Sequence, residues 1–231
     1  SEALVGPIIK QFSDVTGIKA QVKYGSTSAL AATLLEEGSR SPADLYFAQD
    51  PGDLGAVKNL FAPLPQDILN TVPQWARSPE GKWVGLSGRA RVIVYNTERL
   101  AVTDLPDSIA GFTDPKWKGR TGWAPANASF QAMVSAMRIV WGEEKTLEWV
   151  KGIQANQPKV FPNNTSIVKG VSAGEIDAGF VNHYYLHQLI AEQGEGVKAR
   201  NYFTPRGDAG SVVLVAGAGI LDTSKNKEAA Q

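Results

Sequence analysis

The stretch Gly174-Glu-Ile-Asp-Ala-Gly-Phe-Val-Asn-His-Tyr-Tyr-Leu186 decides the fold class of this 231-residue chain. Its first half predicts a turn and then a short buried strand at 178–181, and residues 185–193 have the pattern of a helix. The polar residues 182–185 therefore lie where a strand ends and a helix begins. In α/β sheets ligands bind at such junctions, because the positive end of each helix faces the ligand.

The rest of the chain repeats this alternation of strand and helix. Helices are predicted at 1–16, 29–37, 51–60, 130–141, 143–156 and 166–173, and strands at 18–24, 45–48, 83–86, 91–95 and 212–216. Such alternation predicts doubly wound α/β units with parallel sheets. Polar loops at 24–28, 48–50, 125–129 and 163–166 lie at similar junctions, and together they would form a binding site if they converge.

The adjacent tyrosines Tyr184 and Tyr185 are the first candidates for chemistry. A phenol loses its proton near pH ~10, so only a hard, highly charged cation displaces that proton easily at neutral pH. Two neighbouring phenols at a strand end therefore suggest a ferric-ion site. The alternative is a helix start with one ring buried and the other exposed, and the pair by itself favours that structural interpretation.

Composition and charge exclude several classes of function. Lys+Arg and Asp+Glu both number 23, so the net charge predicts no basic face for nucleic acid. The absence of cysteine excludes disulfides, thiolate metal sites and thiol catalysis. No apolar run approaches the ~20 residues of a membrane span, and no signal peptide is visible, which fits a cytoplasmic or a processed protein. The common enzyme motifs are also missing, so we predict that the protein is not an enzyme.

Two further pairs of side chains are candidates for binding. His183 and His187 are four residues apart and could share a metal, although His187 is more simply a surface residue of the helix. Arg89 and Arg91 are two residues apart at the start of a strand, and so they point to the same face. An arginine there could hold an oxyanion through paired N–H groups or make a surface ion pair.

Six longer segments carry a family resemblance. They are 29–38 (ALAATLLEEG), 41–50 (SPADLYFAQD), 86–96 (LSGRARVIVYN), 114–120 (DPKWKGR), 162–165 (PNNT) and 182–185 (NHYY). In order and spacing they resemble the bacterial periplasmic ferric-ion-binding proteins, the solute receptors of iron ABC transporters. The resemblance covers nearly the whole chain.

This resemblance implies an α/β, two-lobed class II periplasmic solute-binding protein fold with a hinge and a central cleft. Lobe 1 would comprise 1–88 and 203–231, and lobe 2 would comprise 89–202 with the tyrosine pair and an anion pocket. The hinge would lie near 89–95 and 204–213. The family's first strand and C-terminal helices have no counterpart, so we expect a receptor truncated at both ends, with an incomplete lobe 1.

The resemblance also implies a function and a set of site residues. The metal ligands would be Tyr184 and Tyr185, and the anion-binding residues would be Asn127, Ala128, Ser129, Asn164, Asn182 and Arg89. The ligand would be Fe3+ with phosphate or carbonate as synergistic anion, because two phenolates neutralise only two of three ferric charges. The protein would deliver iron to an inner-membrane ABC permease from a periplasmic or extracytoplasmic location, with a lipid anchor if the source is Gram-positive.

The chain departs from the family pattern in ways that keep alternatives open. Gln49 stands where many members have a glutamate ligand, and Phe130 stands near the position of a third tyrosine in others. Ser26 and Gln49 are expected to line the cleft, and ferric affinity should be below that of an intact relative. The alternatives are a receptor for a small organic or phosphonate-like anion without metal, and an iron-dependent redox enzyme on the same scaffold.

Overall fold

The computed structural model describes residues 2–194 and 196–231. Ser1 and Glu195, which fall in the predicted first helix and second lobe, lie outside the described residues. The helices are α1 Glu2–Thr16, α2 Thr27–Glu37, α3 Pro51–Ala56, α4 Gln66–Asn70, α5 Ala128–Trp141, α6 Glu143–Ala155, α7 Asn164–Ser172, α8 Tyr184–Gln193 and α9 Lys227–Ala230. The strands are β1 Leu45–Ala48, β2 Val84–Asn96, β3 Thr121–Trp123, β4 Lys159–Val160, β5 Ala178–Asn182, β6 Ala199–Tyr202 and β7 Val213–Ile220. Within these described ranges, none of the helices has the length and apolar composition that crossing a bilayer requires.

The chain divides into two compact units, and the division falls inside β2 and β7. Unit 1 comprises Ser1–Gly88 and Val215–Gln231, and unit 2 comprises Arg89–Leu214. Residues 203–214, which the sequence analysis assigned to lobe 1, lie in unit 2. The reason is packing and pairing: Ala209 is buried in the core of unit 2, and the carbonyl of Val212 accepts the Arg91 N–H at 2.8 Å.

Unit 2 is built around β5, whose residues are all buried. β5 pairs in parallel with β3, which in turn pairs in parallel with β4. On its other edge β5 pairs antiparallel with β2, with Arg91 opposite Asn182, and β2 also pairs antiparallel with β6. The predicted all-parallel sheet is therefore wrong for this unit. Hydrophobic periodicity indicates which face of a strand is buried, but it carries no information on the direction of its neighbour.

Helices cover both faces of this sheet. On one face, Phe130, Met133 and Trp149 of α5 and α6 pack with Ile93 and Phe180. The other face carries α7 and α8, whose buried apolar residues pack against alternate positions of the same strands, among them Ile167, Val168, Val171, Leu186, Leu189, Val92, Val94 and Val181. Successive strand residues point to opposite faces, so one apolar run supplies both cores. The predicted α/β architecture is confirmed in this three-layer arrangement.

Unit 1 has a smaller sheet and core. β1 pairs antiparallel with β7, with Tyr46 opposite Gly219. A side chain at Gly219 would overlap the ring of Phe61, since the nearest ring atoms lie 2.8 Å from an added Cβ. The core is formed by residues of α2, β1, α3 and their following loops, namely Ala31, Leu34, Tyr46, Ala48, Leu54, Val57, Phe61 and Leu221.

Three predicted strands differ from the structure. Residues 18–24 have no regular secondary structure, and Ile18 and Val22 remain 40% and 42% exposed. An alternating pattern forms a strand only when a partner strand completes its hydrogen bonds. The predicted strands at 83–86 and 91–95 are one strand, β2, which continues through Ser87 and Gly88 despite their low β propensity.

Candidate functional site

Three helices of unit 2 begin at the same edge of its sheet. β3, β4 and β5 run parallel, so their carboxyl ends share that edge, and they are followed by α5, α7 and α8. The side chain of Asn127 caps α5 by accepting the Ser129 N–H at 3.0 Å, and Asn163 caps α7 by accepting the Ser166 N–H at 2.9 Å. The partial positive charge of helix N-termini makes this edge favourable for an anion.

Arg91 joins the elements at this edge. It lies directly across from Asn182 in the β2–β5 pair and is only 2% exposed. Its Nη1 donates to Asn182 Oδ1 at 3.0 Å, and to Asn164 Oδ1 and Ser129 Oγ at 3.1 Å each. One nitrogen therefore links the end of β5 to the starts of α5 and α7.

The predicted anion-binding side chains form one hydrogen-bonded group, which we call the amide cluster: Asn127, Ser129, Asn164 and Asn182. Ser129 Oγ donates to Asn127 Oδ1 at 2.6 Å, and Asn164 Nδ2 donates to Ser129 Oγ at 3.2 Å and to Asn127 Oδ1 at 3.3 Å. The backbone N–H of Asn182 donates to Asn164 Oδ1 at 3.3 Å. Three separated segments of sequence are thus brought together around Arg91.

The two tyrosines open α8 directly after this cluster. Their ring centroids are 4.3 Å apart with an interplanar angle of 31°, and both side chains are partly buried. This differs from the structural alternative, in which one ring is buried and the other exposed. Burial raises the pKa of Tyr185 to about 12, and a hydrogen bond with Tyr184 acts in the same direction, while Arg89 and Arg91 oppose the increase.

Arg91 remains a cation at neutral pH despite its burial. Desolvation lowers its pKa to about 9, and the neighbouring hydroxyls of Tyr184 and Tyr185 act in the opposite direction. A buried charge is costly unless it is paired. The site therefore combines a buried positive charge, a set of amides and two phenol oxygens.

The other candidates of unit 2 surround this arrangement. Arg89 is partly buried and lies close enough to Tyr185 to lower its pKa. Ala128 is the first residue of α5 and is exposed, so its backbone N–H is what it could offer a ligand. The Ala90 N–H donates to His183 Nδ1 at 3.2 Å, and the rings of His183 and His187 are 6.4 Å apart.

A histidine or carboxylate metal site has no support in the part of the chain that the structure describes. There, no three His, Asp or Glu residues are grouped closely enough to hold a metal.

Ser26 and Gln49, the predicted cleft residues, lie in unit 1. Ser26 is the N-cap of α2, and its hydroxyl accepts the Ala29 N–H at 3.3 Å. Gln49 is exposed and follows β1 directly. Both positions are at helix starts or strand ends, as predicted from sequence.

Two α/β units, with a donor-rich polar site at the carboxyl edge of one sheet, define this chain as a solute-binding protein. It belongs to the bacterial extracellular solute-binding protein family, whose sequence profile matches residues 39–231. The predicted family and two-lobed fold class are confirmed.

Its relatives include the Fe(3+)-binding periplasmic protein of Serratia marcescens, which is 36% identical. That match covers 100% of this chain and 69% of the relative. The major ferric iron-binding protein of Neisseria meningitidis serogroup B is 37% identical, with 95% of this chain and 68% of the relative covered. These relatives are named as binding proteins, in agreement with the prediction that the chain is not an enzyme.

Solved structures of iron-bound proteins have the same fold as this chain. Iron-bound HitA from Pseudomonas aeruginosa superposes with a TM-score of 0.85 at 34% identity, over 99% of this chain and 75% of that one. A Trichodesmium protein in complex with iron and citrate superposes with a TM-score of 0.86 at 30% identity, over 98% of this chain and 74% of that one.

Sequence reasoning gave Arg91 no place in the anion pocket. It treated Arg89 and Arg91 as a pair and assigned Arg89 to the pocket, whereas the structure connects Arg91 to three members of the amide cluster. The available signal was the position of Arg91 inside an apolar strand, which indicates a buried charge with a specific role.

Proposed function

We propose that this protein captures ferric ion together with a small oxyanion outside the cytoplasm and delivers it to an ABC permease. The observation that carries this proposal is the pair Tyr184–Tyr185, with ring centroids 4.3 Å apart, at the helix start beside the Arg91-linked amide cluster. Hard cations prefer oxygen donors, and phenolates are anionic oxygen donors. The names of the relatives from Serratia and Neisseria support the same cargo.

The charge of the site supports a second, anionic ligand. Two phenolates neutralise two of the three ferric charges, and Arg91 adds a positive charge close by. An oxyanion held at the starts of α5 and α7 by Asn127, Ala128, Ser129, Asn164, Asn182 and Arg89 would offset part of the remaining positive charge and fill coordination positions on the metal. We propose phosphate or carbonate, and citrate is a third candidate because it accompanies iron in the Trichodesmium structure.

The role of unit 1 is also a proposal. Unit 1 would correspond to lobe 1 of the family, and Ser26 and Gln49 would line the cleft. Gln49 is neutral and so would add no charge to the ferric site. Delivery would be to an inner-membrane permease from the periplasm, or from a lipid-anchored position if the source is Gram-positive.

The first test removes one phenol oxygen at a time. Tyr184→Phe and Tyr185→Phe should each lower ferric affinity by at least about tenfold, because each removes an anionic ligand while its ring is kept. The purple-red charge-transfer absorption of the ferric protein should weaken in parallel. Tyr95→Phe, which alters a tyrosine packed against the core of unit 2, is the matched control. Parental ferric binding in both phenol variants would refute the ligand assignment.

The second test concerns the anion. The double variant Ser129→Ala with Asn164→Ala should weaken ferric binding more in phosphate or carbonate buffer than with a strong external chelating anion, which brings its own ligands to the metal. An equal loss under both conditions would argue against an anion at this place.

A metal-free receptor for a small organic or phosphonate-like anion is the second candidate. The buried Arg91 favours it, since the cluster could hold such an anion without the phenols. Anion binding with no ferric absorption would favour this candidate. The iron-dependent redox enzyme has no support among the names of the relatives.

A further inference from the structure

Arg91 has more donors than the protein uses. A guanidinium carries five N–H groups, of which two are on Nη1. Three oxygens share these two hydrogens, at distances of 3.0, 3.1 and 3.1 Å. Nε and Nη2 are buried, and among the described residues they have no hydrogen-bond partner. A buried donor without an acceptor is costly, and more so when it is charged.

The contacts of Arg91 also set the direction of the amides. Arginine donates and never accepts, so the Oδ1 atoms of Asn164 and Asn182 must face Nη1. Ser129 Oγ receives hydrogens from Arg91 and Asn164 and passes its own to Asn127 Oδ1. The side-chain oxygens of the cluster are thus occupied internally, and N–H donors are left for a ligand.

The charge of Arg91 has no carboxylate partner in the described chain. Its contacts are two amides and a hydroxyl, all of them neutral. By contrast, Asp177 in the same unit pairs with both Arg99 and Arg120 at 2.6 Å. Arg99 and Arg120 are therefore neutralised by a buried carboxylate, whereas Arg91 is buried with only neutral partners.

We propose that Arg91 is the positioning residue that makes this pocket selective for anions: it turns the amide oxygens of Asn164 and Asn182 inward and supplies the unpaired positive charge. The inference rests on the proposed function, since it names the residue that gives the anion site its polarity. The ligand class is a small oxyanion. A neutral solute would meet only hydrogen-bond donors, and a cationic solute would in addition meet a like charge.

The test measures binding of inorganic phosphate to the metal-free full chain by titration calorimetry. Arg91→Gln removes the charge, and we expect the phosphate dissociation constant to rise by about tenfold or more. Arg91→Lys keeps the charge but loses the branched donor geometry, so it should restore part of the affinity. Arg99→Gln, at a half-exposed ion pair with Asp177, is the control and should bind phosphate as the parent does.

A second variant protects the test against misfolding of Arg91→Gln. Asn182→Asp leaves Arg91 in place and gives it an internal carboxylate directly across the strand pair. Phosphate binding should fall while the melting temperature of the metal-free protein stays the same or rises. Because Asn182 is itself an anion-binding candidate, the decisive outcome for this variant is retained phosphate affinity, which would overturn the role of Arg91.

The outcomes separate this inference from the proposed function. Parental phosphate affinity in folded Arg91→Gln or in Asn182→Asp overturns the role of Arg91, even if the parent shows the ferric absorption. Loss of phosphate binding in folded Arg91→Gln with partial recovery in Arg91→Lys supports that role, even if no ferric absorption is seen and the metal proposal fails. Absence of phosphate binding in the parent overturns the role of Arg91 and leaves the ferric proposal to the test with the two phenol variants.

Discussion

At the scale of single residues, the phenol of Tyr185 is held in its neutral form by burial. Its pKa is raised to about 12, first by desolvation and then by its interaction with Tyr184, while Arg89 and Arg91 favour the phenolate. A hydroxyl in this state does not ionise at neutral pH without help. A ferric ion bound as proposed would supply that help, because a trivalent cation at the oxygen competes directly with the proton.

Ferric binding should therefore release protons from the site. We expect at least one proton per ferric ion from Tyr185, and an apparent affinity that rises by about tenfold per pH unit for each proton released. The increase should continue as pH rises toward the raised pKa, because the phenol is still protonated below it. Titration of ferric citrate in weakly buffered solution at several pH values measures the release, and Tyr185→Phe should release one proton fewer. Binding with no proton uptake or release would contradict phenolate ligation.

The residues of the site were predictable to different degrees. Tyr184 and Tyr185 are recognisable because adjacent phenols after a buried strand are uncommon, and the asparagines lie in segments that resemble a known family. The sequence did not show which of Arg89 and Arg91 is buried, because that depends on the register of β2 against β5. Register arises from pairing between distant segments, and one sequence does not contain it.

At the scale of elements, the position of Asn164 depends on how closely α7 packs against β5. Gly179 makes this approach possible, since a Cβ there would overlap Cγ2 of Ile167 and would lie 3.3 Å from the carbonyl oxygen of Gly122. Glycine inside a strand often marks such a close approach. The start of α7, with Asn164 as its first residue, is thereby held near Arg91.

Gly179→Ala should therefore affect stability and binding together. We expect a loss of about 1–3 kcal/mol in the free energy of unfolding from overpacking, and weaker phosphate binding because α7 moves away from Arg91. Urea unfolding and titration calorimetry measure the two effects. Gly55→Ala in α3 is the control, because an added Cβ there meets nothing within 4 Å. A neutral Gly179→Ala would show that α7 does not depend on this contact.

Helices with strong hydrophobic periodicity were predicted well. The existence and direction of strands that depend on a distant partner strand were not. The stretch Phe130–Trp141 was predicted from its apolar stripe and lies within α5, which begins two residues earlier at the asparagine cap. Residues 18–24 alternate as a strand does, yet they form none, since backbone pairing and not pattern completes a strand. The predicted strand direction was wrong at β2 for the same reason, since β2 runs antiparallel to β5.

At the scale of the whole molecule, Arg91 and the residues of the amide cluster lie in unit 2. Arg91 and the amide cluster belong to one continuous segment, Arg89–Leu214, with core clusters on both faces of its sheet. Ser26 and Gln49 come from unit 1, where they cap or follow elements of a separate core. The proposed anion site is therefore built from one continuous segment of the chain.

This distribution predicts where a bound anion reduces backbone opening. Phosphate added to the metal-free full chain should slow hydrogen exchange most at β2 and β5 and at the starts of α5 and α7, because binding stabilises the structure that holds the ligand. The slowing should require Arg91 and should disappear in Arg91→Gln. The segment Gln66–Asn70 of unit 1 serves as the internal reference and should exchange at an unchanged rate. Equal protection of that reference segment would mean that phosphate stabilises the chain as a whole, and that the site in unit 2 is not where it binds.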